Sequence, residues 1–222
     1  MTEKTNQTLL GLFAQSKPYT YKKGEVILRL DDVPSGIYLI EKGFVKVYTT
    51  TESGEEKIHI IYQKGDLFPL IWVFLNTTKN VYYEALDKVT LRRIRQETFT
   101  NLIESDCKIL MEVVKHLTYN LDVHIDRVDH LELTKAYPRL IAYLLFLAKR
   151  FGKNQSDGTA ISVPLTHKDI ANSTNMARET ASREMEALQK QGLIRYKGRL
   201  LTIKDIKKLE KELSQTSIYE LS

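Results

Sequence analysis

The chain has 222 residues, of which 42% are hydrophobic and 27% charged, with a net charge of +5 and a single cysteine. That length suits two small domains, each able to bury a core of its own. The longest apolar run, around Leu140–Ala148, is too short to cross a bilayer, and Met1–Gly11 lacks the apolar core of a signal peptide. Cys107 alone excludes an internal disulfide and any cluster held by several thiolates of one chain, so a reducing cytoplasm is the expected home. The charge is unevenly spread: residues 135–222 hold 16 Lys and Arg against 9 Asp and Glu, whereas the preceding residues hold 17 against 19. A basic segment joined to a near-neutral one fits a phosphate-binding module attached to something else, although a lysine-rich soluble domain would look similar.

From Tyr19 to about Arg95 the sequence reads as short strands. Apolar and polar residues alternate in Ile37–Ile40, Phe44–Tyr48 and Lys57–Ile61, and glycines 24, 36, 43, 54 and 65 supply turns at roughly ten-residue intervals. Antiparallel strands at that spacing predict a sandwich or rolled barrel, with Glu52–Glu55 as a hairpin tip. A short helix is expected near Glu97–Ile103. Beyond it Leu110, Val114, Leu117, Leu121, His124, Val128 and Leu131 recur at alternating spacings of four and three, flanked by Val113 and Ile125. This is a heptad stripe. It either lies on its own domain or meets a second copy, and its place between two different segments favours a parallel homodimer seam.

Tyr137–Phe151 is a third helical region, with Pro138 tolerated in its first turn. Gly152–Thr159 reads as a polar loop, Ile161–Val163 as a short strand, and Thr166–Lys190 as two short helices. Leu193–Tyr196 and Leu200–Ile203, separated by Lys197, Gly198 and Arg199, predict a two-stranded wing. A charged helix over Lys204–Leu213 and a frayed tail complete the chain.

The segment that carries function is Leu165–Arg183. Thr166, with Asp169 three residues on, is a capping-box start. Ile170 and Ala171 provide the apolar knob and small residue that two crossing helices need, and Asn175 tolerates the left-handed backbone of a tight inter-helix turn. The second helix, Met176–Gln191, has an apolar face at Met176, Thr180, Met185 and Leu188, and Gly192 stops it. Arg178, Glu179, Ser182 and Arg183 fall on the exposed side of its first turns, where a helix inserted into the DNA major groove carries its base-reading residues. Arginine offers guanine two donors, and glutamate accepts from cytosine N4. A solvated Glu179–Arg183 ion pair would use the same spacing. The coincidence of helix pair, wing and basic bias in one segment favours DNA.

These residues resemble the cyclic-AMP receptor protein/fumarate-nitrate regulator (Crp/Fnr) family over nearly the whole chain. Gly24-Glu25, Ser35-Gly36-Ile37-Tyr38, Glu41-Lys42-Gly43 and Gly65-Asp66 fall where that family places its β-roll glycines. Ala177-Arg178-Glu179-Thr180-x-Ser182-Arg183 is similar to its S-R-E-T-x-x-R recognition helix, with Ala177 in place of the usual capping Ser or Thr. The resemblance implies an α+β chain: a cyclic-nucleotide-binding-like β-roll (jelly roll) over residues 1–104, a long dimerisation helix over 105–134, and a winged helix-turn-helix over 135–222. It implies a homodimer that binds double-stranded DNA at an inverted repeat. Arg178, Glu179 and Arg183 would read TGTGA-like half-sites with Ser182 beside them, while Thr166, His167, Lys197 and Arg199 would complete the contact. RNA polymerase is the further expected partner, touched near Gly152–Ala160; no membrane is involved.

The same likeness argues against cyclic AMP as effector. Members that bind it carry Gly-Glu-Leu after the Gly-Asp turn and an Arg-Ser or similar pair about ten residues on. Here those elements read Pro69-Leu70-Ile71 and Lys79-Asn80. Leucine cannot accept a ribose hydroxyl's hydrogen bond, proline removes a backbone donor, and lysine lacks the bidentate fork. A different effector would sit among Leu70, Trp72, Lys79, Asn80, Tyr82 and His124; alternatively, Trp72, Phe74, Tyr82 and Tyr83 simply fill the roll and the pocket is vestigial. No cofactor is expected: an iron–sulfur cluster lacks its cysteines, Cys107 reads as a small buried hydrophobe, and the histidines show no haem spacing. Asp122, Asp126 and His130 share a helical face that reads more readily as solvated than as a metal site. His124, the polar member of the heptad stripe, reads more readily as a satisfied, silent histidine than as a residue that sets register and opposes its mate when protonated. No nucleophile–base pair or phosphate loop has catalytic spacing, so an enzyme is not expected. The competing reading is a cupin-like ligand- or redox-sensing protein acting through protein contacts.

Overall fold

The computed structural model describes residues 11–197 and 200–218. The chain divides into two compact units, Met1–Asp122 and Val123–Ser222, and one long helix contributes to both. No helix among the described residues is long and apolar enough to cross a membrane.

The first unit is a β-roll of two antiparallel sheets. One holds β1 (Pro18–Tyr21), β3 (Ile37–Lys42), β6 (Leu67–Phe68) and β8 (Val89–Ile94) in the order β1-β8-β3-β6. The other holds β2 (Val26–Leu28), β4 (Val45–Thr50), β5 (Glu56–Tyr62) and β7 (Tyr82–Ala85) in the order β2-β7-β4-β5. Strand β3 explains its own sequence. Tyr38 and Ile40 join Val45, Phe68, Ala85 and Leu91 inside the roll, while Ile37 and Leu39 face a second core made with Phe13, Phe99, Ile103, Ile109 and Val113. A strand buried on both faces has no polar face to display, so Ile37–Ile40 is a continuous apolar run rather than the alternation expected there. At Gly43 the backbone has φ +91°, and a Cβ would lie 2.6 Å from the Lys88 carbonyl oxygen, so the turn into β4 requires glycine.

Helix α1 (Leu70–Leu75) lies between β6 and β7, and α2 (Gln96–Ser105) and the 26-residue α3 (Cys107–Glu132) follow β8. Within the first unit α3 is fastened to the roll by His116, which is fully buried. Its Nε2 accepts the Leu67 amide at 3.2 Å and lies 3.0 Å from Asn120 Nδ2, and Nδ1 is 3.9 Å from Asp66 Oδ1. Val113, expected beside the heptad stripe, faces the core instead. Cys107, expected to be buried, is exposed, because it occupies the first residue of α3.

The second unit contains α4 (Ala136–Phe151), α5 (His167–Thr174), α6 (Arg178–Lys190) and α7 (Ile206–Ile218) against a sheet ordered β11-β12-β10-β9. The loop expected at Gly152–Thr159 is instead a hairpin of β9 (Gly152–Gln155) and β10 (Gly158–Ile161), and the strand foreseen at Ile161–Val163 ends at Ile161. Strand β9 is an edge strand with all four residues exposed, so it carries no alternation to read. The wing strands are β11 (Ile194–Lys197) and β12 (Leu200–Ile203). Helix α7 continues past Leu213 to Ile218, where fraying was expected. Ser214 and Thr216 hydroxyls donate to carbonyls one turn back along it.

Candidate nucleic-acid interface

Helix α5 begins at the capping box anticipated in the sequence. Thr166 Oγ1 accepts the Asp169 amide at 3.1 Å, and Asp169 Oδ2 accepts the Thr166 amide at 2.8 Å. Both orphan donors are satisfied reciprocally, which stabilises such a start by about 1 kcal/mol. The helix ends at Asn175 with φ +52° and ψ +45°, the left-handed residue that turns the chain into α6. Two arginines of the same unit grip the closing end. Arg127 Nη1 donates to the Ser173 carbonyl at 2.9 Å, and Arg139 Nη1 to the Thr174 carbonyl at 3.2 Å. Cations at a helix C-terminus also suit its dipole. Arg139 further donates to the Leu133 and Thr134 carbonyls, pinning the link between α3 and α4.

Helix α6 starts at Arg178 rather than Met176. Ala177 occupies the N-cap position and supplies no side-chain cap, as its identity implied. Its buried face is Ala181, Met185 and Leu188, on a helix that packs against α5 and α4. Ala181 therefore takes the place assigned to Thr180, which is half-buried, and Met176 lies before the helix. Two helices crossing this closely need a small side chain there, and alanine provides it.

The opposite face is presented to solvent. Arg178, Glu179 and Arg183 are exposed, Ser182 is half-buried, and Thr166 and Lys168 are exposed at the start of α5. Arg183 does not pair with Glu179 as the four-residue spacing allowed. Its Nη2 and Nε donate to Glu184 Oε1 at 2.9 and 3.2 Å. His167 Nδ1 meets Ser182 Oγ at 3.1 Å, and the His167 ring lies 5.6 Å from the Tyr196 ring of the wing. Tyr196 was not anticipated in the sequence; burial raises its phenol pKa well above the usual range. Lys197 is described through its backbone only, and Arg199 lies outside the described residues. Arg195 on the same wing strand pairs with Asp157.

The heptad stripe of α3 leaves large apolar side chains in water. Leu110, Leu117 and Val114 are more than a third exposed, and Leu121 and Val128 are 60% and 55% exposed. Met111 and Ile125 widen the stripe; His124 is exposed and Leu131 half-buried. From Leu110 to Leu131 it runs about 30 Å along the helix axis. Desolvation by its surroundings, then the charges of Arg127 and Arg150, hold the His124 pKa below its ordinary value. His130 is lowered too, mainly by burial. Asp126, once a metal-ligand candidate with Asp122 and His130, is held by Lys149 at 2.9 Å. Among the described residues no group of three His, Cys, Asp or Glu side chains is placed to hold a metal ion.

In the β-roll the predicted effector residues scatter. Trp72 and Lys79 line a cavity with Leu28, Arg29, Ile71 and Tyr83. Leu70 does not: it is 5% exposed and belongs to the core behind β3, because α1 buries Leu70 and Val73 on one side. Tyr82 stacks on Tyr48 at 5.2 Å on the face of β7 that carries Glu84, where Lys46 bridges Glu84 and Glu56 at 3.2 and 2.6 Å. Asn80 is not among the lining residues, and His124 belongs to the second unit. The cavity measures about 20 Å³. The space beside it is filled by Phe68, stacked on Tyr83, Tyr38 and Tyr62 at 5.0, 5.3 and 5.9 Å.

Comparison with known proteins agrees with this architecture. Residues 18–106 match the cyclic nucleotide-binding domain, and residues 138–212 match the Crp-like helix-turn-helix domain. The chain is 25% identical over 217 residues to the anaerobic regulatory protein of Pasteurella multocida, covering 98% of this chain and 78% of that protein. Its fold superposes with a TM-score of 0.78 on a CooA mutant from Carboxydothermus hydrogenoformans, at 22% identity over 96% of this chain and 97% of that one. A CRP-family transcriptional regulator from Thermus thermophilus gives a TM-score of 0.74 at 22% identity, with 88% and 96% covered. The chain therefore belongs to the Crp/Fnr family of transcription regulators, which are DNA-binding, typically dimeric and non-enzymatic.

Proposed function

We propose that the chain acts as a homodimer that inserts α6 into the major groove of an inverted repeat with TGTGA-like half-sites. One observation carries this: Ala181, Met185 and Leu188 bury one face of α6, which leaves Arg178, Glu179 and Arg183 together in solvent on the other. In these half-sites the two arginines donate to guanines, Glu179 accepts from a cytosine, and Ser182 lies beside them. Thr166, His167, Lys197 and Arg199 supply the remaining DNA contacts in this proposal, and Leu110, Val114, Leu117, Leu121, His124, Val128 and Leu131 form the seam between two copies. RNA polymerase is the proposed further partner, met by the β9–β10 hairpin.

The β-roll of this chain does not hold a cyclic nucleotide. A volume of about 20 Å³ admits a water molecule, whereas ligand pockets run to several hundred. Leu70 is turned away into the core, and the cavity it leaves is lined by Lys79 and Arg29 beside Trp72, Ile71 and Tyr83. The roll senses another signal or serves as a scaffold.

Selection from random DNA with purified protein, followed by footprinting, tests the reading. Enrichment of an inverted repeat with G·C pairs in each half-site is expected; no such enrichment overturns it. A cupin-like protein acting through protein contacts would instead give absent or salt-insensitive DNA binding.

A further inference from the structure

Three parts of the interface converge on one imidazole. His167 opens α5, Ser182 stands on the half-buried flank of α6, and Tyr196 belongs to wing strand β11. His167 Nδ1 is 3.1 Å from Ser182 Oγ. The ring is also held 5.6 Å from the Tyr196 ring, tilted by 52°, and the Tyr196 hydroxyl is buried with no hydrogen-bond partner. The imidazole is thus wedged between the helix that reads and the strand beside it.

A serine hydroxyl has one proton and two lone pairs, so what it offers a base depends on where its proton goes. If Ser182 donates to His167, only lone pairs remain for the groove, and these accept from adenine N6–H or cytosine N4–H. If His167 donates, the hydroxyl proton is released for guanine O6 or thymine O4. The other ring nitrogen, Nε2, is the one left for a backbone phosphate. Phosphate oxygens only accept, so the tautomer that serves one carries its proton on Nε2 and leaves Nδ1 bare.

We propose that His167 is a positioning residue for base reading: its Nδ1 accepts a hydrogen bond from the Ser182 hydroxyl, which leaves Ser182 only lone pairs and makes it an acceptor that selects adenine or cytosine at one position of each half-site. This rests on the reading of α6 as the base-contacting helix. It gives one residue two tasks, since the same ring orients a base-reading hydroxyl and presents a donor to the backbone.

The test is selection from a randomised half-site library with the full-length protein and its His167→Ala, His167→Asn, Ser182→Ala and His167→Ala/Ser182→Ala variants, with a thermal melt of each. The wild type is expected to prefer an amino-bearing base at one position. His167→Ala and Ser182→Ala each reduce that preference by about 3- to 10-fold, the scale of one hydrogen bond. The double variant loses no more than either single one. His167→Asn, whose amide oxygen stands close to where Nδ1 stood, restores the preference. If His167→Ala weakens every sequence equally and leaves the preference intact, His167 is a phosphate contact only and the proposal falls. A wild-type preference for guanine or thymine at that position makes the hydroxyl a donor and overturns it as well. Should His167→Ala fail to fold, His167→Gln replaces it: its oxygen lies one methylene too far, and a profile equal to that of Asn overturns the proposal. If the wild type enriches no inverted repeat at all, the reading of α6 has failed, and the proposal with it.

Discussion

The β-roll and the helix-turn-helix have spent their side chains in opposite ways. In the second unit, one face of α6 is packed against α5 while Arg178, Glu179 and Arg183 stand in water. In the roll, the interior is filled by Phe68 and the tyrosines stacked on it. A surface that reads another molecule must keep polar groups outside, and a site that swallows one must keep a void inside. On the function proposed above, the helix-turn-helix keeps the first arrangement and the roll lacks the second.

The sharpest break of that contrast is Phe68→Ala. If the aromatic stack is core rather than pocket wall, its loss costs about 3–5 kcal/mol, read by urea denaturation, and no cyclic-AMP binding appears by calorimetry. Binding of cyclic AMP by the opened roll would mean that only one side chain stood in the way. Next is the stripe on α3: Leu121→Asp, placing an unpaired charge in the seam, is expected to cost about 3 kcal/mol or more. Sedimentation should then show monomers, with affinity for an inverted repeat reduced by about a hundredfold. Arg183→Ala should lose about 1–3 kcal/mol at one base position and flatten the preference there, whereas Lys197→Ala should weaken all sequences similarly and lower the salt slope by about one. Thr166→Ala removes the capping box and should cost about 1 kcal/mol in stability, measured by thermal melting.

The smallest effect is one of pH. His124 and His130 have folded-state pKa values below the ordinary one, so the unfolded chain binds more protons as the pH falls toward and through about 6.5. Stability should therefore rise with pH from about 5.5 to 7.5 and then level off. Replacing both by Gln should flatten that rise in denaturation curves. In a dimer, two facing His124 rings would steepen it, so His124→Leu should also reduce the pH dependence of DNA affinity over the same range.

How much of this was legible follows from what each feature needs. The capping box at Thr166 and Asp169, the left-handed Asn175 and the uncapped Ala177 are local chemistry, and the sequence states local chemistry directly. The heptad stripe was visible because an amphipathic helix advertises its period. The effector residues named from the sequence do not share one cavity, and the reason is one residue of alternation. Tyr83 and Tyr82 point to opposite faces of β7, so naming the wrong neighbour exchanges a cavity wall for an outer stack. Ile71 and Leu70 repeat the lesson on α1, where a rotation of about 100° separates the cavity from the core. Strand β9 was missed because an edge strand exposed along its whole length has no pattern to show. Tyr196 and the partner of Ser182 depend on which elements meet in space, and no spacing encodes that.

The hold of Glu184 on Arg183 bears on how such a protein searches a genome. A long cationic side chain left loose would catch on every phosphate it passed and slow sliding along the duplex. Here the guanidinium is engaged twice by a carboxylate oxygen on its own helix. To leave, it must be offered something at least as good, and a guanine edge with two acceptors in line is such an offer. If Arg183 reads a base as proposed, the exchange of Glu184 for a guanine edge would act on how long the protein stays at a target rather than on how fast it arrives.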